Sequence, residues 1–323
     1  MHKILSIAFF LGGILLLLSC ASAKDVSSES VLLDGEDWML AIDPNQVGKE
    51  QRWWESVQPR AKQTRVPWII QDAFPGYHGL AWYWKEFEAP KNPHKHGRYI
   101  LKFWSVDYKS DIWLNDVKIG EYEGSESVFV FDVTDAIRSG EKNRLAVRVL
   151  NPTYDMIEEI TLNQTPHRNN AIPMAPGNGP NEGGILDSVE LLIVPAVYIA
   201  DVYVRPDAKT GELAIETAVV NPGEKSENLA VEYMVTPYYF TKAITYYTEI
   251  QKVHGDGGVF KASLKIENPR LWHVDDPYLY NLEVRVRRDD SDSFDAFTTR
   301  FGFRDFRFEN GYSNDTRQSY CYW

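Results

Sequence analysis

The sequence predicts an all-β chain folded as two consecutive β-sandwiches, and three observations carry that expectation. The 323 residues exceed one typical domain, so two are the natural division. Val106 to Val149 reads as short alternating runs split by turn residues, the period of strands with two different faces. From Asp201 to Phe303, seven β-prone runs follow one another, each bounded by turn signals.

Taken in order, the chain opens with a segment outside the fold. His2 and Lys3 precede an apolar run, Ile4 to Leu18, too short to span a bilayer and matching a signal-peptide core. It ends in Leu17-Leu-Ser-Cys20, which resembles a bacterial lipobox. That resemblance implies cleavage before Cys20 and lipidation of its thiol; an ordinary secretory cut near Ala21 or Ala23 is the alternative. The expected product is an exported lipoprotein, membrane-anchored in the periplasm or at the outer membrane or cell surface. Residues 1–19 are then the signal peptide and 20–30 a polar tether. Cys321 is the other of only two cysteines, so no disulfide framework or cysteine-based zinc pattern can be built.

A first domain is expected over 31–196. Val31 to Trp38 opens it, and a polar stretch with Trp53-Trp54 in a loop follows. Gly79 to Pro90 forms a strand with Trp82 and Trp84 on one face and Tyr83 and Lys85 on the other. Lys91 to Gly97 is a turn and Arg98 to Trp104 a strand. Asp111 to Leu114 and Val117 to Ile119 flank Asn115-Asp116, a hairpin signal. Phe129 to Val133 alternates, Asp135 to Arg138 suits one helical turn, and Arg144 to Leu150 alternates again. Eight of the ten Trp lie between Trp38 and Trp113; they either fill a core or offer aromatic planes to sugar rings. Residues 163 to 184, rich in Pro, Gly and Asn, form a long loop of the kind that carries function. Strand pattern returns from Gly184 to Val194.

The second domain, 197–303, has runs at Asp201–Arg205, 212–220, 229–236, 243–250, 259–266, 278–286 and 297–303, which suggest an immunoglobulin-like sandwich. The net charge of −12 argues against nucleic acid, whose phosphates would be repelled.

Several motifs, in order, resemble glycoside hydrolase family 2, which includes β-galactosidases, β-mannosidases and β-glucuronidases. They are Val66-Pro-Trp68, Gly79-Leu-Ala-Trp-Tyr through Phe87 to Pro90, Trp113-Leu-Asn115 with Gly120, Phe131-Asp-Val-Thr134, Gly140 through Asn143 to Val149, and Gly183-Gly-Ile185. Asn268-Pro-Arg-Leu-Trp272, Asp276-Pro-Tyr-Leu-Tyr280 and Arg300-Phe-Gly-Phe-Arg304 continue the series in the second domain. Leu186-Asp-Ser-Val189 departs from it, lacking an Arg before the Asp-Val. The resemblance implies a jelly-roll, galactose-binding-like sandwich followed by an immunoglobulin-like one, an exo-β-glycosidase function, and a β-linked glycan or oligosaccharide as partner.

In that family both catalytic carboxylates lie on a (β/α)₈ barrel that follows the second domain. Here residues 304–323 form an aberrant tail, departing from the family pattern after about Gly311. The expectation is therefore no catalytic residue in this chain and no turnover by it alone. Retaining glycosidases need two carboxyl groups about 5 Å apart. Asn181-Glu182, the one Asn-Glu, precedes the whole second domain and is a decoy for the acid/base. Tyr77, His78, Asn178, Asn181 and Glu182 are the expected sugar- or barrel-facing residues. No cofactor is expected. His94 and His96 lack a third metal ligand, and Asp289 to Asp292 lacks EF-hand spacing. A stand-alone carbohydrate-binding surface lipoprotein, or a structural or adhesion module, are the competing readings. The sequence leaves the sugar and the oligomeric state open.

Overall fold

The computed structural model describes residues 28–125, 127–165, 181–222, 227–253, 257–288, 294–309 and 312–315. Cys20 with the N-terminal apolar run, Asn178, the acidic turn at Asp289 to Asp292, and Cys321 lie outside the described residues.

The first unit contains β1 (Glu29–Leu32), β2 (Gly35–Ile42), β3 (Lys62–Val66), β4 (Trp68–Ile69), β5 (Gly79–Glu88) and β6 (Arg98–Phe103). It continues with β7 (Val106–Asp107), β8 (Lys109–Leu114), β9 (Val117–Glu123), β10 (Phe129–Asp132), β11 (Lys142–Asn151), β12 (Gly184–Ile185) and β13 (Val189–Val194). Two sheets, ordered β1-β13-β6-β10 and β3-β2-β5-β11-β8-β9, enclose a core that includes Trp38, Leu40, Tyr83, Leu101, Phe103 and Val147. A small third sheet, β4-β12-β7, joins segments far apart in sequence. Every pairing in these sheets is antiparallel, as hydrophobic-in, polar-out alternation favours.

Local chemistry explains the turns. Asn115 and Asp116 both hold positive φ, 49° and 73°, between Leu114 and Val117, which pair directly. Such a two-residue turn twists in the sense the flanking strands need, and Asn and Asp tolerate the left-handed region better than other side chains. The Asn115 amide also donates to the Asn143 oxygen and to the Ala136 carbonyl at 2.9 Å, so this turn is tied to the next connection.

The alternation in β5 separates two apolar layers. Tyr83 points into the inter-sheet core, whereas Trp82 and Trp84 point to the outer face of the six-stranded sheet with Trp113 and Ala146. That outer face is roofed by the polar loop after β2. Trp54 stacks on Trp113 with centroids 5.1 Å apart and planes 2° from parallel. Asp43 shapes the loop by accepting from the Val47 and Gly48 amides, each at 2.9 Å, and from the Trp82 indole at 3.2 Å. Of the tryptophans expected either in the core or facing sugar, Trp38, Trp82, Trp84 and Trp113 are buried, and Trp68 and Trp104 remain exposed.

The second unit contains β14 (Tyr198–Pro206), β15 (Glu212–Val220), β16 (Glu227–Pro237), β17 (Thr245–Val253), β18 (Gly257–Lys265), β19 (Tyr280–Arg288) and β20 (Phe294–Phe301). Its sheets, β14-β15-β18 and β17-β16-β19-β20, close on a separate core with Tyr233, Phe260, Leu282 and Phe303. All seven expected runs are strands, with ends shifted by a few residues. β21 (Phe306–Glu309) and β22 (Tyr312–Asp315) then pair as a hairpin, so the expected aberrant tail begins with regular structure. Among the described residues there is no strand–helix alternation of the kind a (β/α)₈ barrel requires.

The two units meet at Asp295. This buried carboxylate accepts the Ile199 amide at 2.8 Å and the Ser28 hydroxyl, joining the start of the first unit, the connecting strand and the second unit. Burial raises the Asp295 pKa, against the opposing hydrogen bonds from Ser28, Ile199 and Ala296.

Candidate functional site

The small sheet β4-β12-β7 places the first sandwich's loops side by side. Gly184 pairs with Ile69 on one side and Asp107 on the other; Ile185 pairs with Trp68 and Val106. Only glycine fits at the start of β12. A Cβ on Gly183 would sit 2.4 Å from the Asn151 amide nitrogen. Gly184 has φ +142°, and its Cβ would meet the Trp68 carbonyl and the Tyr83 hydroxyl, both at 2.8 Å.

These close approaches bring four polar side chains together. Asn151, the last residue of β11, is fully buried, and its oxygen accepts from Gln71 Nε2 at 2.9 Å. His78 Nδ1 lies 2.9 Å from the same oxygen. An amide oxygen only accepts, so in this contact Nδ1 is the donor, which in the neutral ring leaves Nε2 as the acceptor. The second Gln71 donor reaches the Tyr77 carbonyl at 2.7 Å. The Asn151 amide donates to Asn181 Oδ1 at 3.5 Å, and Asn181 donates in turn to the Pro152 carbonyl at 2.6 Å. Gly183 is pinned from both sides, by its carbonyl to the Ile70 amide at 2.8 Å and its amide to Gln71 Oε1 at 3.4 Å.

The expected residues therefore divide. His78 and Asn181 converge on Asn151. Glu182 is exposed beside them. Tyr77 is half-buried against the core, with its hydroxyl donating to the Leu80 carbonyl at 2.7 Å. Burial, with the nearby Asp43 charge, pushes its pKa up to about 12. Gln71 and Asn151 were missed by sequence reasoning. Asn151 closes a strand just before Pro152, and Gln71 sits in a single helical turn, Ile70–Ala73; neither position carries a motif that marks it.

An ion-pair lattice braces the segment after Asn151. Asp111, with a fully buried side chain, meets Arg148 at 2.9 Å, Lys49 at 3.0 Å and Lys118 at 3.1 Å. Arg148 reaches on to Glu158 at 2.7 Å, and Lys49 to Glu158 at 3.3 Å. Burial pushes Asp111 and Glu158 up, but the cations more than reverse this and hold both below the usual carboxylate range. The lattice straps the loop at 152–160 to the six-stranded sheet, and through it fixes the Pro152 carbonyl that orients Asn181.

Chemically, the edge combines amides and an imidazole with the exposed Glu182 carboxylate and an exposed indole. Trp68 lies on the same small sheet, with the Arg65 guanidinium 3.7 Å from its ring centroid. Amides donate and accept at once, as hydroxyl recognition demands, and an aromatic plane suits the apolar face of a sugar ring. No group of three or more His, Cys, Asp or Glu that could hold a metal occurs among the described residues.

Comparisons with known proteins identify the first of these two sandwiches as a sugar-binding β-scaffold. The sugar-binding-domain model of glycosyl hydrolases family 2 matches residues 68–165, and the family's following domain model matches residues 197–304. Together they take in more than half of the chain, which belongs to glycosyl hydrolases family 2. A β-glucuronidase of Formosa agariphila is 27% identical over 72% of this chain and 24% of its own length. A β-glucuronidase of Bacteroides fragilis is 26% identical over 78% of this chain and 36% of its own, and a β-galactosidase of Thermoanaerobacter pseudethanolicus 25% over 72% and 29%. The chain thus spans roughly a quarter to a third of the length of these curated relatives. Among solved structures, the β-glucuronidases of Ruminococcus gnavus and Bacteroides uniformis superpose with TM-scores of 0.67 and 0.68 at 21% and 19% identity. The matches cover 90% and 87% of this chain, and 48% and 33% of those proteins.

Proposed function

We propose that this chain is the N-terminal portion of an exported, lipid-anchored β-glycosidase, supplying sugar-binding and scaffold domains and hydrolysing no glycoside by itself. The single observation that carries the binding role is the convergence of Gln71, His78 and Asn181 on the buried Asn151. Two matched family domains in the family's order support the glycosidase assignment. Relatives named β-glucuronidase and β-galactosidase point to a β-linked uronic acid or galactose residue as the group gripped. The expectation of no turnover rests on chemistry: retaining hydrolysis needs two carboxyl groups about 5 Å apart across the scissile bond, and Glu182 is the one carboxylate among the proposed contact residues. Asn178 belongs to this proposal as a further contact from the same loop, and Cys20 as the lipid site.

Titration of the full chain with glucuronate, galactose and their aryl β-glycosides tests the reading by calorimetry. Saturable binding is expected, weakened roughly tenfold by Asn181→Ala or His78→Ala, the loss of one good hydrogen bond. Release of the aryl group by the pure chain would overturn the inactivity, and absence of any saturable binding would overturn the sugar-gripping role. Radiolabelled fatty acid incorporated into the wild type and lost in Cys20→Ser tests the anchor.

A further inference from the structure

We propose that two copies of this chain associate through β17, pairing antiparallel about a two-fold axis at Thr248 to join two four-stranded sheets into one. β17 is the outer strand of its sheet, bonded along one edge to β16, and no described strand pairs with its other edge. An open edge of unpaired N–H and C=O groups is a template for another strand unless charge, proline or a bulge blunts it. Two other edge strands carry charge along their length, Lys62 and Arg65 in β3 and Lys118, Glu121 and Glu123 in β9, whereas the two charges of β17, Glu249 and Lys252, both fall in its second half. The first half of β17 carries no charge at all, reading Thr245-Tyr-Tyr-Thr248.

The outer face of this strand is also apolar where water should meet it. Its register against β16 turns Tyr246, Thr248 and Ile250 outward and Tyr247 and Glu249 toward the facing sheet, since Tyr233 and Val231 opposite the latter two are fully buried. Tyr246 and Ile250 are 58% and 59% exposed. Tyr239, Phe240 and Ile244 extend the same exposed strip into the connection before β17.

The second copy is chosen over other occupants because the strand is complementary to itself. A continuous sheet pairs outward residues with outward ones, so the two-fold axis must pass through a residue. An axis at Glu249 would set two carboxylates directly opposite. An axis at Tyr247 would leave all of β17 beyond Glu249 without a strand partner. An axis at Ile250 would set Thr248 against Lys252 and leave Thr245 and Tyr246 without a strand partner. An axis at Thr248 pairs residues 245 to 251 with one another. Tyr246 then faces the other copy's Ile250 twice over, an aromatic against a β-branched side chain, and Tyr247 faces Glu249 twice, a hydroxyl donor against a carboxylate. Such an interface is isologous, the commonest closed arrangement.

The test uses the full chain with Cys20→Ser and Cys321→Ser, leaving no native thiol. Sedimentation equilibrium is expected to show a monomer–dimer equilibrium. Under mild oxidation Thr248→Cys should give a disulfide-linked dimer, because directly opposed positions bring their Cβ atoms within reach of a disulfide. Tyr247→Cys, Glu249→Cys and Ile250→Cys report the three rejected registers and should stay largely uncrosslinked. The double variant Tyr246→Lys, Ile250→Lys changes exposed positions only. It should keep its circular dichroism spectrum while dimerising roughly tenfold more weakly or worse. A monomer throughout the micromolar range would overturn the proposal. So would crosslinking strongest at 247, 249 or 250, or a dimer indifferent to the double variant. Sugar titration of the double variant is expected to match the wild type, so failure of this proposal and of the sugar-binding reading are read separately.

Discussion

Asn151 shows how one residue can set a site without belonging to a motif. Its side chain is wholly enclosed, and each of its polar atoms faces a partner that itself carries a second bond: Gln71 holds the Tyr77 carbonyl, and Asn181 holds that of Pro152. Removing such a hub takes a partner from the half-buried Gln71 and Asn181 at once, which costs more than a single bond. Asn151→Ala is therefore expected to cost about 1–3 kcal/mol of stability, measured by urea denaturation, and to weaken sugar binding beyond any single contact residue. Gly183→Ala attacks the same point from the other side, since the added methyl would lie 2.4 Å from the Asn151 nitrogen. His78 and Asn181 were legible in the sequence because they sit in loops of marked composition. Asn151 and Gln71 were not, because a strand-ending Asn and a one-turn Gln are ordinary until the fold sets them together.

At the scale of elements, the lattice around Asp111 decides how firmly the candidate edge is held. Three cations and Glu158 surround a carboxylate with no solvent exposure, and taking away one partner of such a cluster leaves buried charge uncompensated. Asp111→Asn is expected to cost about 3 kcal/mol, read as a drop in melting temperature. Acid should act the same way in the wild type. The folded-state pKa of Asp111 lies below its ordinary 3.8, so its contribution is complete above that value and lost as pH falls through the lower, folded value. Melting followed from pH 5 downward in both proteins should show the wild type converging on the variant. The roof over Trp82 and Trp113 was only half legible. The sequence placed Trp53 and Trp54 in a loop, but that the loop folds back as a lid depends on Asp43 collecting two amides and an indole at once.

Across the whole molecule, the two cores are separate and the seam is held by a group with the opposite pH behaviour. Asp295 is buried between Ser28, Ile199 and its own strand, and its pKa is raised. A raised carboxyl contributes stability that is full below its unfolded value of 3.8 and lost as pH rises through the folded value. Asp295→Asn, neutral at every pH, should erase that dependence. Relative to it, the wild type is expected to lose stability as pH climbs from about 4, measured by calorimetry across that range. A constant difference between the two proteins would show that Asp295 is not the group responsible.

Alternation, turn chemistry and ordered motifs determined the strands, the division into two sandwiches and the family, because these depend on neighbours within a few residues. The Asn115-Asp116 turn, the two faces of β5 and the seven strands of the second unit all follow from that local pattern. Tertiary structure alone decided which loops meet: that β12 lies between β4 and β7, that Asn151 becomes the centre of a polar edge, that Asp111 gathers cations from three segments, and that β17 is left at the rim of its sheet. Each of these joins residues tens of positions apart, and no periodicity along the chain records which distant side chains will share a buried site.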